Sequence, residues 1–351
     1  MSKVGAQMAK SSKNTEIQVY DGYGHTKSLV IQGHVFKRTS KPGNRFSANV
    51  WHNTLDMIRL FFVKPFPHVL VKLSWQNLTL ETQAGPDGFF RFEWSSEHEV
   101  EAGWHRVKVA AFLDKGAEMK SANGQLYVPH STQYGFISDI DDTVMVSHSS
   151  RFRKRMIALF AKHAQSRKMF PDVGNHYKLL SEANTELSMP NPFFYVSSSE
   201  WNLYGYLKEF FRFNGFPRGV FLLNHIKRWY QFLKIGNSNH SGKLDRIIEI
   251  LETFPKQQFV LLGDNSQADP TIYSGVVDLY ADRIKAIFIR NVRPSAGKKT
   301  NIILEEIAQK GVKTFFYKNS LDAIAFSVKI GLLDAKVLTQ NPQSSDEGGR
   351  K

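Results

Sequence analysis

The chain has 351 residues, 42% hydrophobic and 22% charged, with a formal net charge of +14 and a sequence pI of about 9.7. These are the proportions of a soluble folded protein, long enough for two domains and a sizeable core. Cysteine is absent, which excludes a disulfide framework, a thiolate metal site and a cysteine nucleophile and fits a reducing cytosol. The basic balance favours anionic partners (phosphate substrates, acidic lipid surfaces, nucleic acid) unless it merely solubilises the surface.

The first sixteen residues, MSKVGAQMAKSSKNTE, carry lysines but no apolar h-region, so no signal peptide is expected. No apolar run is long enough to span a bilayer. Up to about residue 132 the pattern is mostly β. Strand-like runs occur at 27–36, 68–75, 77–82, 88–94, 104–113 and 125–129, with turn signals GPDG at 85–88 and SANG at 121–124. One helix is expected near 53–62, capped by Asn53. Strands at this spacing predict an N-terminal antiparallel β-sandwich over 1–132.

After 133 the rhythm changes. Apolar strands at 134–138, 193–197, 219–223, 258–263, 285–289 and 312–316 alternate with helical patterns such as 201–213 and 242–254. This predicts an α/β domain over 133–335 with a doubly wound parallel sheet, whose chemistry sits at the carboxyl ends of its strands. Residues 336–351 read as a disordered tail. Two phosphate-loop lookalikes, GYGHTKS at 22–28 and SAGKKT at 295–300, miss the Walker spacing and are set aside.

At the end of the first α/β strand, FISDIDDTV places three acids in four residues. An isolated Asp-x-Asp also serves as a turn or cap, so its meaning depends on the other strand ends. FFYVS ends in Ser197, Lys243 opens a helix after Gly242, and FVLLG runs into Asp264 with Asp269 just beyond. Such hard oxygen ligands suit Mg²⁺, and a lysine and a hydroxyl beside them suit a phosphoryl group.

DIDDT resembles the first motif, Asp-x-Asp-x-Thr, of the haloacid dehalogenase superfamily of phosphotransferases; Ser197, Lys243 and GDNSQAD resemble its second, third and fourth. QVYDGYG, GWHRVKV, YGFISDIDDTV, FPDVGNHYKLL, FFYVSSSEWNLY, LKEFFRFNGFPRG, FVLLGDNSQADPTIY and IFIRNV further resemble the actin patch phosphatidate phosphatase family of fungi and its bacterial relatives. The resemblance implies a haloacid-dehalogenase-like catalytic domain, with a small helical cap inserted at about 145–190, that removes phosphate from phosphatidate to give diacylglycerol. It implies Asp139 as nucleophile forming an aspartyl-phosphate and Asp141 as general acid and base. Ser197 and Lys243 would hold phosphate, and Mg²⁺ would be bound by Asp139, the Asp141 carbonyl and Asp264, with Asp269 as a further ligand or as an anchor behind the ligands. Two departures stand out: the family usually has Pro at Glu200 and Ser-Gly at Asn265-Ser266, and loss of that glycine threatens the metal loop.

Two basic segments are candidate membrane contacts. In 149–170, Arg151, Arg153, Lys154 and Arg155 flank an apolar face, which suits an anionic bilayer or, equally, packing on the protein's own domain. In 224–234, Lys227, Arg228 and Trp229 suit a membrane interface, single-stranded nucleic acid or ordinary aromatic packing. The leading expectation is a cytoplasmic phosphatidate phosphatase acting peripherally at a membrane. Its rivals are a phosphatase for soluble phosphomonoesters or nucleic-acid phosphate ends, and a basic membrane- or nucleic-acid-binding protein with little turnover.

Overall fold

The computed structural model describes residues 15–37, 64–112, 116–130, 133–140, 172–186, 189–224 and 241–340. Its first part is all β: β1 (Thr15–Val19), β2 (Gly22–His25), β3 (Ser28–Lys37), β4 (Lys64–Pro65), β5 (Leu70–Trp75), β6 (Leu78–Gln83), β7 (Phe89–Trp94), β8 (Gly103–Phe112) and β9 (Glu118–Val128). Burial alternates along β5 and β7, as in strands with one face packed and one solvated. Hydrogen bonding joins all nine into a single sheet ordered β1-β3-β2-β9-β8-β5-β6, with β4 and β7 pairing on β3. Ile31, Phe90 and Phe92 of β3 and β7 share one buried core with Val71, Leu73 and Val109 of β5 and β8. The pairs are antiparallel except β2 with β9, which is parallel.

The 85–88 turn forms, closed by Gly88 N–H on the Gly85 carbonyl at 2.9 Å. The 121–124 turn does not: these residues lie inside β9, paired with β8 from Val128 to Glu118. A Cβ on Gly124 would meet Val19 Cγ1 at 2.5 Å, so this glycine serves close packing. Strands β1, β2 and β4 lie outside the strand-like runs of the sequence, and β2 falls within the phosphate-loop lookalike at 22–28. The helix expected near 53–62 lies outside the described residues.

The second part alternates: β10 (Gly135–Asp139), α1 (Val173–Ser181), β11 (Phe193–Glu200), α2 (Tyr204–Phe213), β12 (Gly219–Asn224), α3 (Ser241–Thr253), β13 (Phe259–Asp264), α4 (Asp269–Tyr280), β14 (Ile284–Arg290), α5 (Gly297–Gln309), β15 (Lys313–Tyr317), α6 (Ser320–Lys329) and α7 (Lys336–Gln340). Helix α7 corrects the expectation of a disordered tail from 336 onward; residues 341–351 lie outside the described residues. The six strands pair in parallel in the order β12-β11-β10-β13-β14-β15. β10 and β13 are buried at every position, which is why they read as unbroken apolar runs.

Both sheet faces are covered. One packs on Tyr177 of α1, Leu207 of α2 and Ala323 of α6, and the other on Ile247 of α3, Tyr273 of α4 and Ile307 of α5. From β10 the chain moves outward through β11 and β12, then returns to build β13, β14 and β15 on the other side. The order reverses between β10 and β13, and in such sheets ligands usually bind outside the carboxyl ends of the strands at that point.

The two parts share their cores. Tyr20 and Phe36 join one α/β cluster, and Tyr23 and Tyr127 the other. The His34 ring stacks on Trp201 at 3.9 Å between centroids, and Lys208 pairs with the buried Asp21 at 2.7 Å.

Candidate active site

Alternation along β10 sends Phe136 and Ser138 to one face and Ile137 and Asp139 to the other. The face of Asp139 is the one covered by α3 and α4, the helices that carry Lys243 and Asp269. Lys243 Nζ lies 2.8 Å from Asp139 Oδ1 and also donates to Asp269 Oδ1. Asp264 ends β13, the strand beside β10, and its backbone N–H donates to Asp269 Oδ2 at 3.1 Å. A Cβ on Gly263 would meet that oxygen at 2.6 Å, so only glycine lets Asp269 come so near the strand.

One carboxylate oxygen each of Asp139, Asp264 and Asp269 lies within 4.8 Å of the others, and all three residues are buried. Carboxylates so placed repel one another unless cations offset them. Burial pulls the Lys243 ammonium toward neutrality, but the Asp139 and Asp269 carboxylates outweigh this and raise its pKa overall. Burial, reinforced by Asp269 and Asp139, also pushes the Tyr273 phenol well up, so it stays protonated and donates to the Leu262 carbonyl at 2.9 Å. One ammonium against three buried carboxylates leaves room for a divalent cation, and an all-oxygen donor set is the kind Mg²⁺ takes.

Ser197 is buried near the end of β11, where the pairing with β12 becomes irregular between Val196 and Glu200. Its Oγ accepts from Ser199 N–H at 2.9 Å. On the opposite face of β10, the Ser138 hydroxyl donates to the Asp139 carbonyl at 2.8 Å, and Tyr177 OH lies 2.8 Å from Ser138 Oγ. Ser138 has a single hydroxyl proton, so Tyr177 is the donor to it.

Of the residues singled out in the sequence, Asp139, Lys243, Asp264 and Asp269 come together, with Ser197 on the neighbouring strand. Asp141 lies outside the described residues, as do Arg151, Arg153, Lys154, Arg155, Lys227, Arg228 and Trp229 and most of the expected cap. The Asn265-Ser266 departure does not strain the loop, since neither residue has a positive φ. Asn265 instead ties the loop down. Its Oδ1 accepts from Val292 and Arg293 N–H, both at 2.8 Å, and its Nδ2 donates to the Arg293 carbonyl at 2.9 Å.

Sequence reasoning missed Arg246. It lies one turn beyond Lys243, donating to Asn224 Oδ1 at 2.7 Å and to the Ser197 carbonyl at 3.3 Å. The i, i+3 spacing from Lys243 was the available signal.

The fold and site together define an α/β protein with a carboxylate–lysine centre at the strand-order reversal of a parallel sheet. Residues 134–291 match the family model described as phosphatidate phosphatase APP1, catalytic domain. The chain is 30% identical over 157 residues to phosphatidate phosphatase APP1 of Saccharomyces cerevisiae, a match covering 44% of this chain and 25% of that protein. Over the same length it is 25% identical to an uncharacterized protein of Schizosaccharomyces pombe, again 44% of this chain and 25% of that protein. The chain thus spans about a quarter of the length of these curated relatives. Among solved structures, a carbohydrate acetylesterase from Xanthomonas citri aligns with 83% of this chain and 65% of its own at 11% identity, but a TM-score of 0.28 carries no argument.

Proposed function

We propose that the chain is a Mg²⁺-dependent phosphatidate phosphatase with a haloacid-dehalogenase-like catalytic domain, working through an aspartyl-phosphate. The observation that carries this reading is the buried Asp139–Lys243–Asp269–Asp264 cluster, inside the segment that matches the phosphatase family. Hydrolysis of an alkyl phosphate is very slow in water, so the site must supply large transition-state stabilisation. A carboxylate nucleophile divides the reaction into two displacements.

In the first, Asp139 attacks phosphorus and the bond to the glycerol oxygen breaks; the proton for that oxygen comes from Asp141, releasing diacylglycerol. In the second, Asp141 takes a proton from water, which attacks phosphorus. The bond to the Asp139 oxygen then breaks, giving inorganic phosphate and restoring the carboxylate. Lys243 and Ser197 hold phosphoryl oxygens as charge develops. Asp139, Asp264 and Asp269 would hold the Mg²⁺, which when bound supplies the positive charge that lets a dianion approach these carboxylates. The basic residues Arg151, Arg153, Lys154 and Arg155 belong to the same reading as contacts to an anionic bilayer. Among the described residues no helix is long and apolar enough to cross a membrane.

The test is a panel of phosphatidate, lysophosphatidate, sugar phosphates and phosphorylated oligonucleotides, assayed with Mg²⁺ and with EDTA. Preferred, EDTA-sensitive release of phosphate from phosphatidate is expected. Preference for a soluble ester or an oligonucleotide end would reassign the substrate, and no turnover on any of them would overturn the enzyme reading.

A further inference from the structure

Four neighbouring strands carry the site at or near their carboxyl ends: Asn224 on β12, Ser197 on β11, Asp139 on β10 and Asp264 on β13. Lys243 serves the middle of this row. Arg246, on the same helix, reaches its Ser197–Asn224 flank. Both of its acceptors there are neutral, and among the described residues no carboxylate comes within ion-pair distance of its guanidinium. Its Nε is buried without a hydrogen-bond partner in the described structure. Burial pulls the guanidinium pKa down to about 10 against the opposing fields of Asp245, Glu249 and Asp139, which leaves it charged at neutral pH.

A half-buried cation held only by neutral acceptors, with its Nε wholly out of solvent, is costly unless an anion joins it. A phosphomonoester dianion, in turn, would enter a centre that sets three carboxylates against one lysine. Both deficits are met by one contact. We propose that Arg246 is a substrate-binding residue that holds a non-bridging oxygen of the phosphomonoester from the Ser197 side, next to Lys243. The ligand chemistry is that of a phosphate dianion, whether a lipid head group or a soluble ester. The assignment rests on the phosphatase reading above.

The test uses the full chain with Mg²⁺ and compares Arg246→Gln and Arg246→Lys with the wild type. Inorganic phosphate binding is measured by calorimetry, and kinetics are followed on phosphatidate in detergent micelles and on a soluble phosphomonoester. Loss of one charge-assisted contact should weaken phosphate binding and raise KM for both esters about ten- to a hundredfold in Arg246→Gln, with a smaller change in kcat. Arg246→Lys should recover part of the loss, because it keeps the charge. Equal loss in both variants would mean that the fork bracing Ser197 and Asn224 is what matters, and would overturn the proposal. Unchanged phosphate affinity in Arg246→Gln, or a loss confined to phosphatidate, would also overturn it. Should either variant fold poorly, phenylglyoxal modification of Arg246 in the wild type, mapped by mass spectrometry, should be slowed by inorganic phosphate; absence of protection would sink the idea. If no ester is turned over yet phosphate binding still depends on Arg246, the enzyme reading fails and this assignment stands.

Discussion

Lys243 Nζ lies 2.8 Å from Asp139 Oδ1 with both side chains buried, so the residue read as a phosphate ligand is also the counter-ion of the proposed nucleophile. Removing it strands buried carboxylates. Lys243→Met is expected to destabilise the fold by about 3–5 kcal/mol, as breaking a buried pair does. Urea denaturation should show this loss, and added Mg²⁺ should restore part of it. The pKa of Lys243 is raised in the folded state, so its stabilisation is complete below the unfolded lysine value of about 10.4. It is lost only as pH rises through the higher folded value.

Asp139→Asn should abolish turnover, by at least about a thousandfold, while leaving the melting temperature in EDTA unchanged or higher. The reason is that one of three mutually repelling carboxylates becomes neutral. Full activity in a pure preparation would rule out Asp139 as nucleophile.

Chelation should stop the reaction and lower stability together. A ligand that binds only the folded state stabilises it by about 2.7 kcal/mol at a hundredfold excess over its Kd. Titrating Mg²⁺ into EDTA-treated protein should raise the thermal midpoint, and Asp264→Asn should blunt that rise. A midpoint indifferent to Mg²⁺ would remove Asp264 from the ligand set.

His176 is buried on α1, and its Nε2 lies 3.0 Å from Ser327 Oγ. That hydroxyl already donates to the Ala323 carbonyl, so Nε2–H must be the donor to it. Burial, aided by Arg290, lowers the His176 pKa from 6.5 to about 3. Between these values the unfolded chain binds a proton that the folded chain does not. Stability should therefore fall as pH drops below 6.5, by about 1.4 kcal/mol per pH unit at most. His176→Gln should flatten this acid limb of the stability curve. An unchanged slope would assign the acid sensitivity elsewhere.

Asn265→Ala should cost about 1–3 kcal/mol in chemical denaturation, since the Val292 and Arg293 N–H groups lose their shared acceptor. A neutral result would mean that water replaces the amide.

Local pattern made much of this protein legible in its sequence. The buried strands β10 and β13 announce themselves because a strand covered on both faces must be apolar throughout, and an acid at its end is then conspicuous. The order Asp139, Ser197, Lys243, Asp264, Asp269 follows from those strand and helix ends. Long-range geometry decided the rest. Residues 121–124 have the composition of a turn, yet ten register pairs between β8 and β9 hold them in a strand, because a continuous ladder outweighs the preference of four residues. Arg246 looked like an ordinary helix cation until the packing of α3 set it against Ser197 and Asn224. The union of the β part with the α/β part was equally hidden. The stack of His34 on Trp201 joins residues far apart in the chain, and such contacts leave no period in the sequence because side chains meet across the fold only after both elements have formed.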